Sequence, residues 1–171
     1  MNKPLYEFFE KDHRRLDGLL DQATRNGGEV DLKFFAEFRG GLLRHIGLEE
    51  KILFPAAQKA NGGKPLDSFA RLRLDHGAIT ALLVPPPSLT IINALKAILV
   101  KHDNLEESAG GPYEACESLV GEDVAEILKR LLESPAVPVL PHKHEPFVLE
   151  ATRRALIRAG YNLDDYATQS T

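Results

Sequence analysis

Residues 45–55 read HIGLEEKILFP. His45 and Glu49 stand four apart, so on an α-helix they share a face and lie about 6 Å apart along the axis. The same face carries Phe35, Phe38, Leu42, Ile52 and Leu53. An imidazole and a carboxylate are thus set into an apolar stripe, where an uncompensated carboxylate is very costly to bury. Metal coordination is one of the few arrangements that make such burial tolerable. Pro55 removes a backbone donor and is expected to kink this helix.

Three further stripes surround this one. Leu5, Phe9, His13, Leu16 and Leu20 recur at helical spacing before the break at Asn26–Gly28, and Asp31 is placed to cap the next helix. After Asn61–Gly63 and Pro65 come Phe69, Leu72, His76, Ile79 and Leu83, ending at Pro85–Pro87. Ser88 is placed to cap a fourth stripe of Leu95, Ile98, Leu99, His102 and Glu106, which Gly110, Gly111 and Pro112 interrupt. Strand patterns are scarce, and no repeat runs at a fixed period. Four helices joined by short connections predict an all-α, antiparallel up-down-up-down four-helix bundle.

A weaker tail follows. Val124, Ile127, Leu128 and Leu131 suggest a fifth helix, and a proline-punctuated linker from Pro135 to Pro146 leads to a sixth. Val148, Thr152, Ala155, Leu156 and Ala159 fall on one side of it, with Arg153, Arg154 and Arg158 largely on the other. Residues 1–120 are therefore read as the bundle and 121–171 as a C-terminal helical extension, packed on the bundle or at a dimer or partner contact.

The chain has 171 residues, 43% hydrophobic and 27% charged, enough for one compact domain with a full core. A formal charge of −4 gives no basic footprint for nucleic acid and no polybasic segment for a membrane surface. No apolar run suits a signal peptide or a membrane span. Cys116 is the sole cysteine, so no intrachain disulfide forms, and a cytoplasmic location is expected.

One histidine per predicted helix faces inward, and two of them, His45 and His102, have a glutamate one turn later. Hairpin arms test the levels: 13 residues separate His13 from Asn26, and 14 separate Asp31 from His45. The last hairpin is less even, with 9 residues from His76 to Pro85 against 14 from Ser88 to His102. That difference is about 7 Å of helical rise. His13, His45, Glu49, His76, His102 and Glu106 are the candidate metal ligands. Shared between two metals, they give each about two nitrogens plus oxygens from bridging glutamates, leaving room for a bridging oxygen and an exogenous ligand. The mixture suits iron, with manganese or zinc as alternatives, and is unlike the all-oxygen sets of calcium.

The order of these pieces resembles a known family. A lone His, then HIGLEEKILFP, then a lone His in Asp75-His76, then His-x-x-x-Glu-Glu at 102–107 is similar to the hemerythrin-like, or HHE cation-binding, domain over roughly residues 5–117. The resemblance implies a four-helix bundle with an oxygen-bridged di-iron centre held by the six residues above. Two departures separate this chain from the oxygen carriers: Thr80 stands where they have a second histidine, and Glu106 and Glu107 stand where they end on an aspartate. The resemblance therefore runs to bacterial and iron-sensing HHE domains. Ferritin-like sites, by contrast, use Glu-x-x-His, the reverse order.

The expected function is binding or sensing of a small ligand (oxygen, nitric oxide or peroxide) or of iron itself. The alternatives are a di-iron enzyme or iron-donating repair protein, and a structural bundle braced by metal. Glu50 and Glu107 lie about 100° around their helices from the ligands and are expected to face solvent or support the site from outside. Asp12, Asp75 and Asp103 are read as surface residues and Cys116 as an inert thiol. Tyr113 is named for the pocket mouth, although no pattern in the sequence marks it. His142 and His144, among prolines, are read as an exposed loop.

Overall fold

The computed structural model describes residues 3–167, and these contain no strand. Eight α-helices follow one another: α1 (Pro4–Ala23), α2 (Leu32–Leu48), α3 (Phe54–Ala60), α4 (Asp67–Leu82), α5 (Leu89–Glu106), α6 (Pro112–Val120), α7 (Val124–Glu133) and α8 (Pro146–Arg158). The expected caps form. Asp31 accepts from the Lys33 and Phe34 amides at 2.9 and 3.3 Å, and Ser88 Oγ accepts from the Ile91 amide at 3.3 Å. Between α2 and α3 the backbone runs as a π-helical turn over Glu49–Leu53. The helix accommodates Pro55 at the start of α3, and its irregularity falls on the two glutamates, upstream of where a proline kink was expected.

α1 packs along α2, and α4 packs along α5. Gly41 permits the first of these approaches, since a Cβ there would stand 2.8 Å from Leu16 Cδ2. The uneven last hairpin is resolved by residues 83–88, which leave helical conformation and take up the offset, so that the His76 and His102 rings lie 4.9 Å apart.

Apolar side chains collect into two clusters rather than one. The first holds Leu16, Leu20, Phe35, Phe38, Leu42, Ile79, Leu82, Leu95 and Ile98, joined by Leu156, Ala159 and Leu163 from the C-terminal part. The second holds Leu5, Phe9, Leu53, Phe54, Phe69, Leu72, Tyr113 and Cys116, joined by Ile127 and Leu131. α7 thus completes one cluster, and α8 lies along α4, where Thr152 Oγ1 donates to the Ala81 carbonyl at 3.0 Å. Helix α6 is an element that the sequence pattern did not lead us to expect. Between the clusters sits a layer of buried polar side chains.

Candidate metal centre

Each of α1, α2, α4 and α5 delivers one histidine to this layer. His13, His45, His76 and His102 are all buried, and Glu49 and Glu106 are fully enclosed at 0% exposure. Each glutamate faces both halves of the molecule. Glu49 places Oε1 3.6 Å from His45 Nε2 and Oε2 3.2 Å from His76 Nε2. Glu106 places Oε2 3.4 Å from His13 Nε2 and Oε1 3.3 Å from His102 Nε2. Two donors about 2.1 Å from one cation are themselves roughly 3.0–3.4 Å apart; three of the four spacings fall in that range and the His45–Glu49 one lies just beyond it. Among the described residues, two groups of three or more such side chains converge this tightly: Glu49, His76, His102 and Glu106; and His13, His45 and Glu106.

The hydrogen bonding points the same way. Glu49 Oε2, Glu106 Oε1 and His76 Nε2 are buried without a hydrogen-bond partner, although buried polar atoms are nearly always satisfied. The charges conflict as well. Burial opposes charge on His45, yet Glu49 and Asp12 raise it to about 9; His76 is raised to about 9 against the same penalty by Glu49 and Glu50. Burial and the neighbouring His45 lower His13, and burial lowers His102. Against its own burial, Glu49 is drawn well below the usual carboxylate range by His45 and His76, whereas burial and the Glu49 charge push Glu106 well above it. A cation shared by these donors resolves the conflict, so the residues fit a metal.

The outer contacts form a ring. Asp12 on α1 reaches His45 Nδ1 on α2 at 2.9 Å, and Glu50 at the end of α2 reaches His76 Nδ1 on α4 at 2.8 Å. Asp75 on α4 comes within 3.7 Å of His102 Nδ1 on α5, and Glu107 after α5 reaches His13 Nδ1 on α1 at 2.7 Å. A carboxylate from a neighbouring helix therefore stands at Nδ1 of each histidine, hydrogen-bonded at His13, His45 and His76, which fixes those three rings and turns their Nε2 inward. The surface assignment of Asp12 and Asp75 is therefore corrected: Asp12 supplies the second nitrogen of the buried His45 with a partner, and Asp75 is buried beside His102, whose Nδ1 has no hydrogen-bond partner. Asp103 is buried too, its Oδ1 3.8 Å from His13 Nε2, and burial raises it to about 6. Asp75 is held in turn by Arg71 and by Tyr161 Oη at 2.9 Å, which ties the segment after α8 to this shell.

Tyr113 enters from α6. It is 1% exposed, and its hydroxyl lies 2.6 Å from Glu49 Oε1 and 2.8 Å from Glu106 Oε2. A cavity of about 10 Å³, room for one water-sized molecule, is lined by His13, Leu42, His45, Ile79, His102 and Asp103. His142 and His144 belong to neither group; His142 stacks on Phe35 with ring centres 6.0 Å apart. Cys116 is buried, and burial pushes its thiol up to about 12, which suits an inert thiol.

A family model described as the hemerythrin HHE cation-binding domain matches residues 5–133. The chain belongs to that family. The match takes in the four helices that carry the polar layer, together with α6 and α7. Neither the curated proteins nor the solved structures gave a match. Among the described residues no helix is long and apolar enough to cross a membrane.

Proposed function

We propose that this hemerythrin-like protein is a non-haem di-iron protein that binds or senses a small ligand such as oxygen, nitric oxide or peroxide, or reports iron through occupancy. In this reading α1, α2, α4 and α5 form an antiparallel up-down-up-down bundle, and the described part of the extension, residues 121–167, packs on it or serves a dimer contact; residues 1–2 and 168–171 of these two units lie outside the described residues. His13 and His45 hold one metal, His76 and His102 the other, and Glu49 and Glu106 bridge them. One observation carries this: each glutamate offers one oxygen to a histidine of each half. An oxygen-bridged iron pair would supply redox change and an open coordination position; manganese or zinc suits the same donors. The protein orients the imidazoles from outside, keeps the layer between two apolar clusters, and leaves a cavity matched to a very small ligand. A cytoplasmic location and function without nucleic acid or membrane complete the proposal.

Metal analysis of protein purified from iron-rich growth tests it. The expected result is close to two metal atoms per chain, mainly iron, with a spectrum that changes on adding nitric oxide or peroxide. At most one tightly held metal would defeat the paired centre. Catalytic consumption of the added ligand, rather than stoichiometric binding, would make the protein an enzyme.

A further inference from the structure

The two halves of the polar layer share one pattern. Asp12-His13 and His45-x-x-x-Glu49-Glu50 in the first half are repeated as Asp75-His76 and His102-x-x-x-Glu106-Glu107 in the second. Tyr113 breaks the equivalence. Its hydroxyl is 3.2 Å from His13 Nε2 and 3.4 Å from His45 Nε2, in addition to its contacts with the two glutamates. In the other half the residue against His76 is Phe54, stacked with ring centres 6.2 Å apart and carrying no donor atom.

We infer that Tyr113 is a protein ligand of the metal held by His13, His45 and Glu106. The inference rests on the proposed metal centre and makes its two positions chemically unequal. Four observations support it. The His13–His45 group has one donor fewer than the other group, and the Tyr113 oxygen stands beside both of its imidazole nitrogens. Nδ1 of each imidazole is turned to Glu107 or Asp12, so Nε2 of both rings faces that oxygen. The hydroxyl has one proton and four nitrogen or oxygen atoms within 3.4 Å, so it can donate to only one of them. The ring is also held in place, stacked on Phe9 at 5.1 Å and met edge-on by Tyr6 at 6.2 Å. On ligation the oxygen–hydrogen bond breaks, an oxygen–metal bond forms, and the proton leaves to solvent. Tyr113 then closes the His13–His45 metal on the α6 side, and an added small ligand goes to the cavity side or to the His76–His102 metal.

The test is the visible spectrum of the full chain loaded with ferrous iron without oxygen and then oxidised with ferricyanide. A ferric phenolate gives a broad visible charge-transfer band, and excitation into that band enhances phenolate ring vibrations in the Raman spectrum. We expect both in the wild-type protein, loss of both in Y113F, and retention in Y6F, with iron content measured on every sample. Iron-loaded wild-type protein without the band overturns the ligand assignment, as does a Y113F spectrum identical to wild type. Raman on wild-type protein carrying ring-deuterated tyrosine tests the same bond without a variant: the enhanced modes must shift. Failure of the wild-type chain to hold paired iron shows in the metal analysis alone, and it overturns the centre itself together with this ligand.

Discussion

A histidine has two nitrogens, and the second decides how well the first is aimed. Glu50 is bound to His76 Nδ1 at 2.8 Å, with its side chain 26% exposed and its other oxygen 3.2 Å from Arg73 Nε. E50Q keeps the shape but removes the charge that strengthens the imidazole as a donor, so metal affinity should fall about 10–100-fold while stoichiometry at saturating metal is kept. Competition with a chelator reads both, and an unchanged affinity would show that Glu50 only decorates the surface. The six inward residues were legible from sequence because three- and four-residue spacing marks one helix face, and a polar residue on an apolar face stands out. The outer carboxylates were less legible. They adjoin the ligands in sequence, where helical geometry places them off the face; they reach histidines on neighbouring helices instead. The paired Asp-His and Glu-Glu dipeptides were the available signal. Tyr113 had none, since its role depends on where α6 turns.

That turn is made by Gly110 and Gly111. Gly110 has φ +72°, and a Cβ on Gly111 would meet the Leu105 and Ser108 carbonyl oxygens at 2.8 and 2.7 Å. Backbone oxygens cannot step aside as a flexible side chain would, so G111A should cost about 1–3 kcal/mol, as overpacking does. Urea unfolding should show a lower midpoint at unchanged slope; an unshifted midpoint would mean that the turn adapts freely. Reading the chain as a fourth helix followed by a tail missed α6 altogether, although Pro112 at its first position is a recognised start signal. The π-helical turn over Glu49–Leu53 lay outside sequence pattern for another reason. It is set by tertiary demand, because adjacent glutamates must serve Glu49's two histidines and Glu50's one.

Across the molecule, six polar side chains separate two apolar clusters, and a bound cation is what makes that layer cohesive. Removing metal should lower the melting temperature, since a ligand at 100 times its dissociation constant adds about 2.7 kcal/mol. The apolar clusters remain, so helical content at room temperature should persist. Hydrogen exchange should speed up most in residues 98–108, where α5 ends at the proposed ligands His102 and Glu106. Equal protection there with and without metal would mean that His102 and Glu106 do not anchor α5 through a cation. The all-helical class and the order of the four histidine-bearing helices were legible at this scale, whereas α6 and the way residues 83–88 absorb the uneven hairpin were not. The carboxylate ring also carries an order in time. The Asp12–His45 link joins residues 33 apart, but the ring closes where Glu107 meets His13, 94 apart. A chain emerging from its N-terminus presents the first hairpin, with two of the buried histidines and Glu49, before α4 and α5 exist. The polar layer can therefore close only once residue 107 has been made and the 94-residue separation of His13 and Glu107 has been bridged, at the entropic cost of a long loop.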